Sequence, residues 1–397
     1  MSNITIPLIC STFHNEDEMA HKLSEFILSK PRLSMGEQCA EFERQFAKKQ
    51  ERAYAVFVNS GSSANLIAVQ ALLNTGRLKR GDKVGFSALT WSTNVMPIIQ
   101  LGLTPVPIDC DPHTLNISPE TLSSHLEDIQ ALFITNVLGL CDDLAEVANL
   151  CEKNKVLFFE DNCESLGSRA YGKLLGNFGV MSTFSTFVGH HLSTIEGGLV
   201  VTDDEELYEA LTIARAHGWS RTLSADTQER LQKEHDVTEF FSCFTFYDLG
   251  YSLRPTEISG FIGLEQIMYW DDIVERRREN ADRFMSAARE NESIVSLDSS
   301  HLEVFSNFAM PLVFKSSEEF EETRVRFEEN GVETRPVIAG DMTAQPFYKK
   351  YMGKDESCPN ARHVMESGFY FGNNPDLTEE QILTLVQLLS GIRNETM

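Results

Sequence analysis

Short apolar runs alternate with helix-like stretches through the first half of the chain, and each run breaks off at small, polar or acidic residues. Ala53-Tyr-Ala-Val-Phe-Val stops at Asn59-Ser-Gly-Ser-Ser, and a helical pattern follows over 64–73. The same order recurs at 83–87 before 92–100, at 105–109, at 131–136 before 143–153, and at 156–160. Apolar runs of about four to eight residues bounded by turn formers read as strands buried on both faces. Strands separated by helices must be joined by crossovers, so the pattern predicts a mostly parallel sheet with helices on both sides.

Two helical stretches, at 17–28 and 36–49, form an arm ahead of this core. After it come a turn between short strands at Gly172-Lys-Leu-Leu-Gly, strands at 182–187 and 199–202, and a helix at 205–217. Long helices at 255–269 and 272–290 lead into a smaller region with a strand at 308–314, a helix at 318–329, Val332-Glu-Thr-Arg-Pro and a closing helix at 379–389. The expected organisation is α/β, with a large sheet domain and its arm over 1–285 and a small C-terminal α+β domain over 286–397.

The 397 residues carry 59 acidic against 34 basic side chains, a formal net charge of −25. Such a surface repels polyphosphate at long range and argues against nucleic acid as a partner, so any phosphate must be held by local donors. No apolar run is long enough to span a bilayer, and Met1-Ser-Asn-Ile-Thr-Ile lacks a basic region followed by an apolar block. The expected location is therefore the cytoplasm, with no membrane partner. Eight cysteines, at 10, 39, 110, 141, 151, 163, 243 and 358, never fall at Cys-x-Cys or Cys-x-x-Cys spacing. Neither an iron–sulfur cluster nor another metal site is expected from them.

Open parallel sheets bind ligands at the carboxyl ends of their strands, beside helix N-termini. Asn59-Ser60-Gly61-Ser62-Ser63-Ala64 sits at such an end. Its small residues let backbone N–H groups approach an anion, and the Ser62 and Ser63 hydroxyls add donors, although helix capping alone also favours serine. Trp91 follows another strand and offers a stacking plate for a flat ring, or a core packing residue. Asp161 ends Phe158-Phe-Glu-Asp, where it is either a turn aspartate or the partner of a protonated ring nitrogen.

These motifs, with Phe184-Ser-Thr-Phe-Val-Gly-His-His before Glu196-Gly-Gly and with Gly250-Tyr-Ser-Leu-Arg-Pro-Thr-Glu-Ile, fall in an order that resembles the DegT/DnrJ/EryC1/StrS family of vitamin B6 enzymes acting on nucleotide sugars. The resemblance implies the aspartate aminotransferase type I fold and a homodimer with shared active sites. It implies pyridoxal phosphate held by Gly61, Ser62, Trp91, Asp161, Ser185 and Ser252. In the family's aminotransferases a lysine five residues after the serine forms a Schiff base with the cofactor. Counted from Ser185, that place holds His190. An imidazole has no primary amine, so the cofactor is expected to bind noncovalently, as pyridoxal or pyridoxamine phosphate, while His190 moves protons.

The lysine-to-histidine exchange resembles the family's 3-dehydratases of 4-keto-6-deoxy nucleotide sugars. One subtype carries an iron–sulfur cluster with a Cys-x-Cys pair, which is absent here. The other, acting on GDP-4-keto-6-deoxy-D-mannose, has no cluster and takes its amine from L-glutamate. Val188-Gly-His-His-Leu-Ser-Thr-Ile-Glu-Gly-Gly and Glu160-Asp-x-Cys-Glu-Ser-Leu-Gly are similar to this second type. Glu164 stands where the aminotransferases usually have glutamine, so a catalytic role beside His190 is expected for it. His191 is expected to be a neighbour, His217 and Arg254 to reach the nucleotide-sugar substrate. Ser252 replaces the family's usual asparagine, which commonly reaches the neighbouring subunit's cofactor phosphate. A nucleotide-sugar aminotransferase, a cluster-dependent CDP-4-keto-6-deoxyglucose dehydrase and a cofactor-binding protein without activity remain as alternatives.

Overall fold

The computed structural model describes residues 4–353 and 356–391. Met1-Ser-Asn, the start of the stretch that lacks a leader pattern, and residues 392–397 of the expected small domain lie outside them. The strands, in chain order, are β1 (Tyr54–Val58), β2 (Lys83–Ser87), β3 (Thr104–Ile108), β4 (Ala131–Thr135), β5 (Leu157–Asp161), β6 (Arg169–Ala170), β7 (Lys173–Leu174), β8 (Met181–Ser185), β9 (Gly198–Thr202), β10 (Leu302–Val304), β11 (Ala309–Val313), β12 (Thr334–Pro336) and β13 (Gly368–Gly372).

Seven of them form one sheet in the order β1-β9-β8-β5-β4-β2-β3, parallel except where β9 runs against both β1 and β8. Every residue of β4 (Ala-Leu-Phe-Ile-Thr) and of β9 (Gly-Leu-Val-Val-Thr) is buried, as expected for central strands covered by helices on both faces. The rings of Phe133 and Phe159, on β4 and β5, stack with centroids 4.3 Å apart. A second sheet, β11-β13-β12, is antiparallel and belongs to the C-terminal region; a third joins β10 to the β6–β7 hairpin. Among the described residues no helix is long and apolar enough to cross a membrane.

The helix Trp270–Arg289 connects two hydrophobic cores: Trp270 and Ile273 pack with Phe42 and Phe46, whereas Phe284 and Met285 pack with Phe369 and Phe371. Residue 285, the expected domain edge, lies inside this helix. We propose that the helix belongs to both domains and that the division falls within it.

Several boundaries differ from the sequence pattern for local reasons. The helix expected at 64 begins at Gly61, because Ser60 accepts the Ser63 N–H and so caps it three residues earlier. The helix expected to reach 217 ends at Arg215, and His217 lies beyond it in the left-handed region, with φ 62°. Strands β10 and β13 escaped the pattern, β10 because it has three residues and β13 because its Gly-Phe-Tyr-Phe-Gly carries no polar alternation.

The adjacent acids at the end of β5 point to opposite faces, as successive strand residues must. Glu160 is fully buried and accepts the N–H groups of Gly176 (2.9 Å), Phe178 (2.8 Å) and Gly179 (2.8 Å) and the Asn136 amide (3.0 Å). It therefore ties down the segment that feeds β8. Glu160→Ala leaves three backbone donors without an acceptor and is expected to lower the free energy of unfolding by about 3 kcal/mol or more in denaturant titration. A loss below about 1 kcal/mol would show that the segment is held by other contacts.

Candidate active site

The ends of β1, β8 and β5 converge because β9 lies between β1 and β8 with Gly198 opposite both Val58 and Ser185. A Cβ on Gly198 would sit 2.4 Å from the Ser60 carbonyl and 2.6 Å from the Gly61 nitrogen, so only glycine allows this approach. Gly61 is equally confined: a Cβ there would lie 2.7 Å from the Ser185 Cβ. The result is a cradle in which the first N–H groups of the helix Gly61–Asn74 stand beside the Ser62 and Ser185 hydroxyls. Helix N-termini with added hydroxyl donors suit a phosphate. Ser63 does not contribute its hydroxyl, which donates to Asn59 Oδ1 at 2.6 Å within the cap.

The cradle opens into a cavity of about 550 Å³ lined by Gly61, Ser62, Trp91, Asp161, Glu164, Ser185 and His190, among others. Asp161 is buried on its wall, and its carboxylate accepts from the side-chain amides of Asn65 (2.9 Å) and Asn94 (2.6 Å) and from the Cys163 N–H (2.8 Å). Those three donors fix its direction. Trp91 is the residue before the helix Ser92–Gln100 and is 53% exposed, so its ring is a cavity surface and not a core filler. An anion cradle, a buried and oriented carboxylate and an open aromatic face match the phosphate, ring nitrogen and flat ring of pyridoxal phosphate.

His190 lies on a loop folded back on itself: Val188 N–H donates to Ile195 C=O (3.1 Å), and the Thr186 and Thr194 hydroxyls share a 2.5 Å hydrogen bond. Its ring stacks on Phe308 with centroids 5.0 Å apart at 27°. Burial against these apolar surfaces pushes its acid dissociation down to about 4, against an upward pull from Asp161. His191 is buried, meets Phe308 edge-on at 6.4 Å, and faces away from this cavity into a small chamber behind the loop. His190 therefore shares the cavity with Asp161, and His191 does not.

Glu164 stands in a turn. It is half-buried where it opens onto the cavity, yet protein surrounds its carboxyl closely enough to push its acid dissociation up to about 8. The Leu138 N–H, at 3.0 Å, opposes this, and Asp161 adds to it. At neutral pH the pair is thus a neutral acid and a neutral imidazole.

His217, Ser252 and Arg254 are not part of this cavity. His217 packs edge-on against Trp219 at 4.6 Å, the Arg254 guanidinium lies 5.5 Å from the Trp219 ring centre, and Ser252 bridges to Ala216. Sequence patterning missed Asn65 and Asn94, which read as ordinary helix residues, and Phe308, Arg335 and Tyr370, which the C-terminal region brings to the opposite wall. Arg215 is buried, pairs with Glu43 and donates to the Phe57 carbonyl (2.9 Å), so it supports β1. Among the described residues no three metal-ligating side chains converge.

The two shifted groups act on stability in opposite senses. Between about 4 and 6.5 the unfolded chain binds a proton that folded His190 refuses, so this term makes stability rise with pH. Between 4.5 and about 8 folded Glu164 keeps a proton that the unfolded chain has lost, so this term makes stability fall as pH rises. In the ligand-free protein, Glu164→Gln is expected to gain thermal stability relative to wild type progressively from about pH 5 to about pH 8. A difference independent of pH in thermal melts would contradict the raised pKa of Glu164.

A model of the DegT/DnrJ/EryC1/StrS aminotransferase family matches residues 14–390. The chain is 35% identical over 391 residues to GDP-4-keto-6-deoxy-D-mannose 3-dehydratase of Yersinia pseudotuberculosis, covering 97% of this chain and 98% of the relative. A crystal structure of GDP-4-keto-6-deoxymannose-3-dehydratase with a trapped PLP-glutamate geminal diamine aligns with a TM-score of 0.88 at 32% identity, over 97% of this chain and 100% of that one. A His-to-Asn variant of GDP-4-keto-6-deoxymannose-3-dehydratase with bound GDP-perosamine aligns with a TM-score of 0.87 at 31% identity, over 97% and 100% of the two chains. The fold is the aminotransferase type I fold, and the chain belongs to the DegT/DnrJ/EryC1/StrS aminotransferase family.

Proposed function

We propose that this protein is a pyridoxal phosphate-dependent 3-dehydratase that removes the C3 hydroxyl of a 4-keto-6-deoxy nucleotide sugar, with L-glutamate as amino donor and ammonia as a product. The observation that carries this is an imidazole, His190, in a cavity with no lysine among the described residues that line it. An aminotransferase of this fold needs a primary amine at that wall. The similarity to GDP-4-keto-6-deoxy-D-mannose 3-dehydratase supports GDP-4-keto-6-deoxy-D-mannose as the substrate.

The cofactor, when bound, supplies the amine that condenses with the sugar ketone and the ring that withdraws electrons from it. The chain's own residues hold and steer that chemistry. Gly61, Ser62 and Ser185 would hold the phosphate, Asp161 would keep the ring nitrogen protonated, and Trp91 would lie against a ring face. His190 starts neutral and accepts a proton; once protonated it is a strong acid, suited to deliver that proton to the departing hydroxyl. Glu164, protonated at neutral pH, donates as the glutamine amide of related aminotransferases would, without adding a charge that would hold the proton on His190.

Purified protein given pyridoxal phosphate, L-glutamate and GDP-4-keto-6-deoxy-D-mannose is expected to release ammonia and yield a sugar lighter by the C3 oxygen. An amine retained on the sugar would establish transamination instead. His190→Asn is expected to reduce elimination by about 100-fold or more while cofactor absorbance stays with the protein after gel filtration. Retained turnover in that variant would remove His190 from the mechanism.

We also infer a homodimer. Ser252, Arg254 and His217 lie away from their own cavity, beside a surface on which Phe240, Phe241, Phe244 and Phe246 are 83%, 61%, 73% and 59% exposed. Clustered exposed aromatics of this kind mark an interface, and the family resemblance makes a second copy the occupant. Phe244→Asp is expected to shift the sedimentation coefficient toward that of a monomer, and an unchanged value would place the interface elsewhere.

A further inference from the structure

Given the proposed dehydratase function, we infer that Arg277 is a positioning residue for His190: a buried guanidinium that reaches the histidine loop through carbonyl oxygens. Arg277 stands midway along the helix Trp270–Arg289 and is 5% exposed. It does not line the cofactor cavity. Its guanidinium donates to the carbonyls of Asn373, Asn307 (3.4 Å) and His190 (3.4 Å). Asn373 returns the contact, donating its amide to the Arg277 carbonyl (2.8 Å) and to Asn307 Oδ1 (2.7 Å).

The consequence lies one residue further on. Asn307 precedes Phe308, the ring on which His190 stacks at 5.0 Å. Arg277 thus holds both the backbone of His190 and the backbone beside the ring that sets its tilt. Three elements from distant parts of the chain meet at this one side chain: the histidine loop, the residues before β11 and the residues after β13.

An arginine buried at this place is costly to the fold. No carboxylate pairs with Arg277 among the described residues within 4.0 Å, and an uncompensated buried cation is destabilising. Burial pushes its acid dissociation down to about 9, with Asp376 opposing. A planar fork of five donors is the one side chain that can serve carbonyls from three segments at once; lysine presents a compact charge with no such spread. Small displacements of an acid–base group cost on the order of 100-fold in rate, which gives such a clamp its value.

The test compares wild type, Arg277→Lys and Asn373→Ser, each loaded with pyridoxamine phosphate. Positioning predicts a fall in kcat on the order of 10- to 100-fold for Arg277→Lys with KM for the nucleotide sugar within about 3-fold. It also predicts faster amide hydrogen exchange over 186–196 and unchanged exchange in β4 and β5. Asn373→Ser, which keeps Arg277 and removes the amide that locks its position, should show the same pattern at smaller amplitude; it decides the matter if Arg277→Lys does not fold. Unchanged exchange in the loop, or kcat retained in a folded variant, overturns the inference. Absence of wild-type turnover would instead refute the proposed dehydratase function, and the exchange data would then decide the positioning role alone.

Discussion

The close approach of Gly198 to the Ser60–Gly61 backbone sets the geometry on which the site depends. It lets an antiparallel strand separate β1 from β8 without pushing their ends apart, so that a helix N-terminus and the Ser185 hydroxyl face the same small volume. Any side chain at 198 would have to enter space already filled by main chain. Backbone cannot move aside as a flexible side chain can, and the anion cradle exists only because nothing stands there.

A second constraint is the low polarity around the histidine loop. Phe308 on one side and Phe187 on another partly shield the half-buried His190 from water, while Arg277 and Thr194 hold the loop through its backbone and hydroxyl groups. The ring is fixed mainly by packing, with the Ser185 backbone as a hydrogen-bond partner; its Nδ1 has no partner among the described residues. The unpartnered Nδ1 stays free to accept and release a proton. Glu164 answers the same low polarity in the opposite direction, because desolvation disfavours whichever form is charged: it lowers the imidazole and raises the carboxyl.

Much of the fold was legible because parallel strands buried on both faces leave unbroken apolar runs. β2, β4 and β5 end in Ser87, Thr135 and Asp161, β1 runs straight into Asn59-Ser-Gly, and the cradle, Trp91, Asp161 and His190 stand at or just beyond strand ends in the sequence itself. The C-terminal wall was not legible. Arg335 and Tyr370 stand on β12 and β13 and Phe308 just before β11, and that they line the same cavity as Asp161 depends on how the C-terminal sheet packs against the rest of the chain. Asn65 and Asn94 were hidden for another reason: both sit inside helices, and a buried asparagine in a helix declares itself only when its partner is known. Ser63 read as a donor and proved to be part of the cap, since sequence cannot say which of two neighbouring hydroxyls the backbone claims.

By itself, the sequence determined the chemistry available: a histidine where related enzymes have lysine, an acid where they have glutamine, glycines where backbone must meet backbone. These are properties of residue identity and spacing, and they survive without coordinates. Tertiary structure decided the states and directions of those groups. Which of two adjacent histidines faces the cavity, which of two adjacent acids turns toward it, and whether an imidazole and a carboxyl are neutral at the same pH all depend on burial by segments remote in the chain. Desolvation and orientation are collective, so no local pattern encodes them.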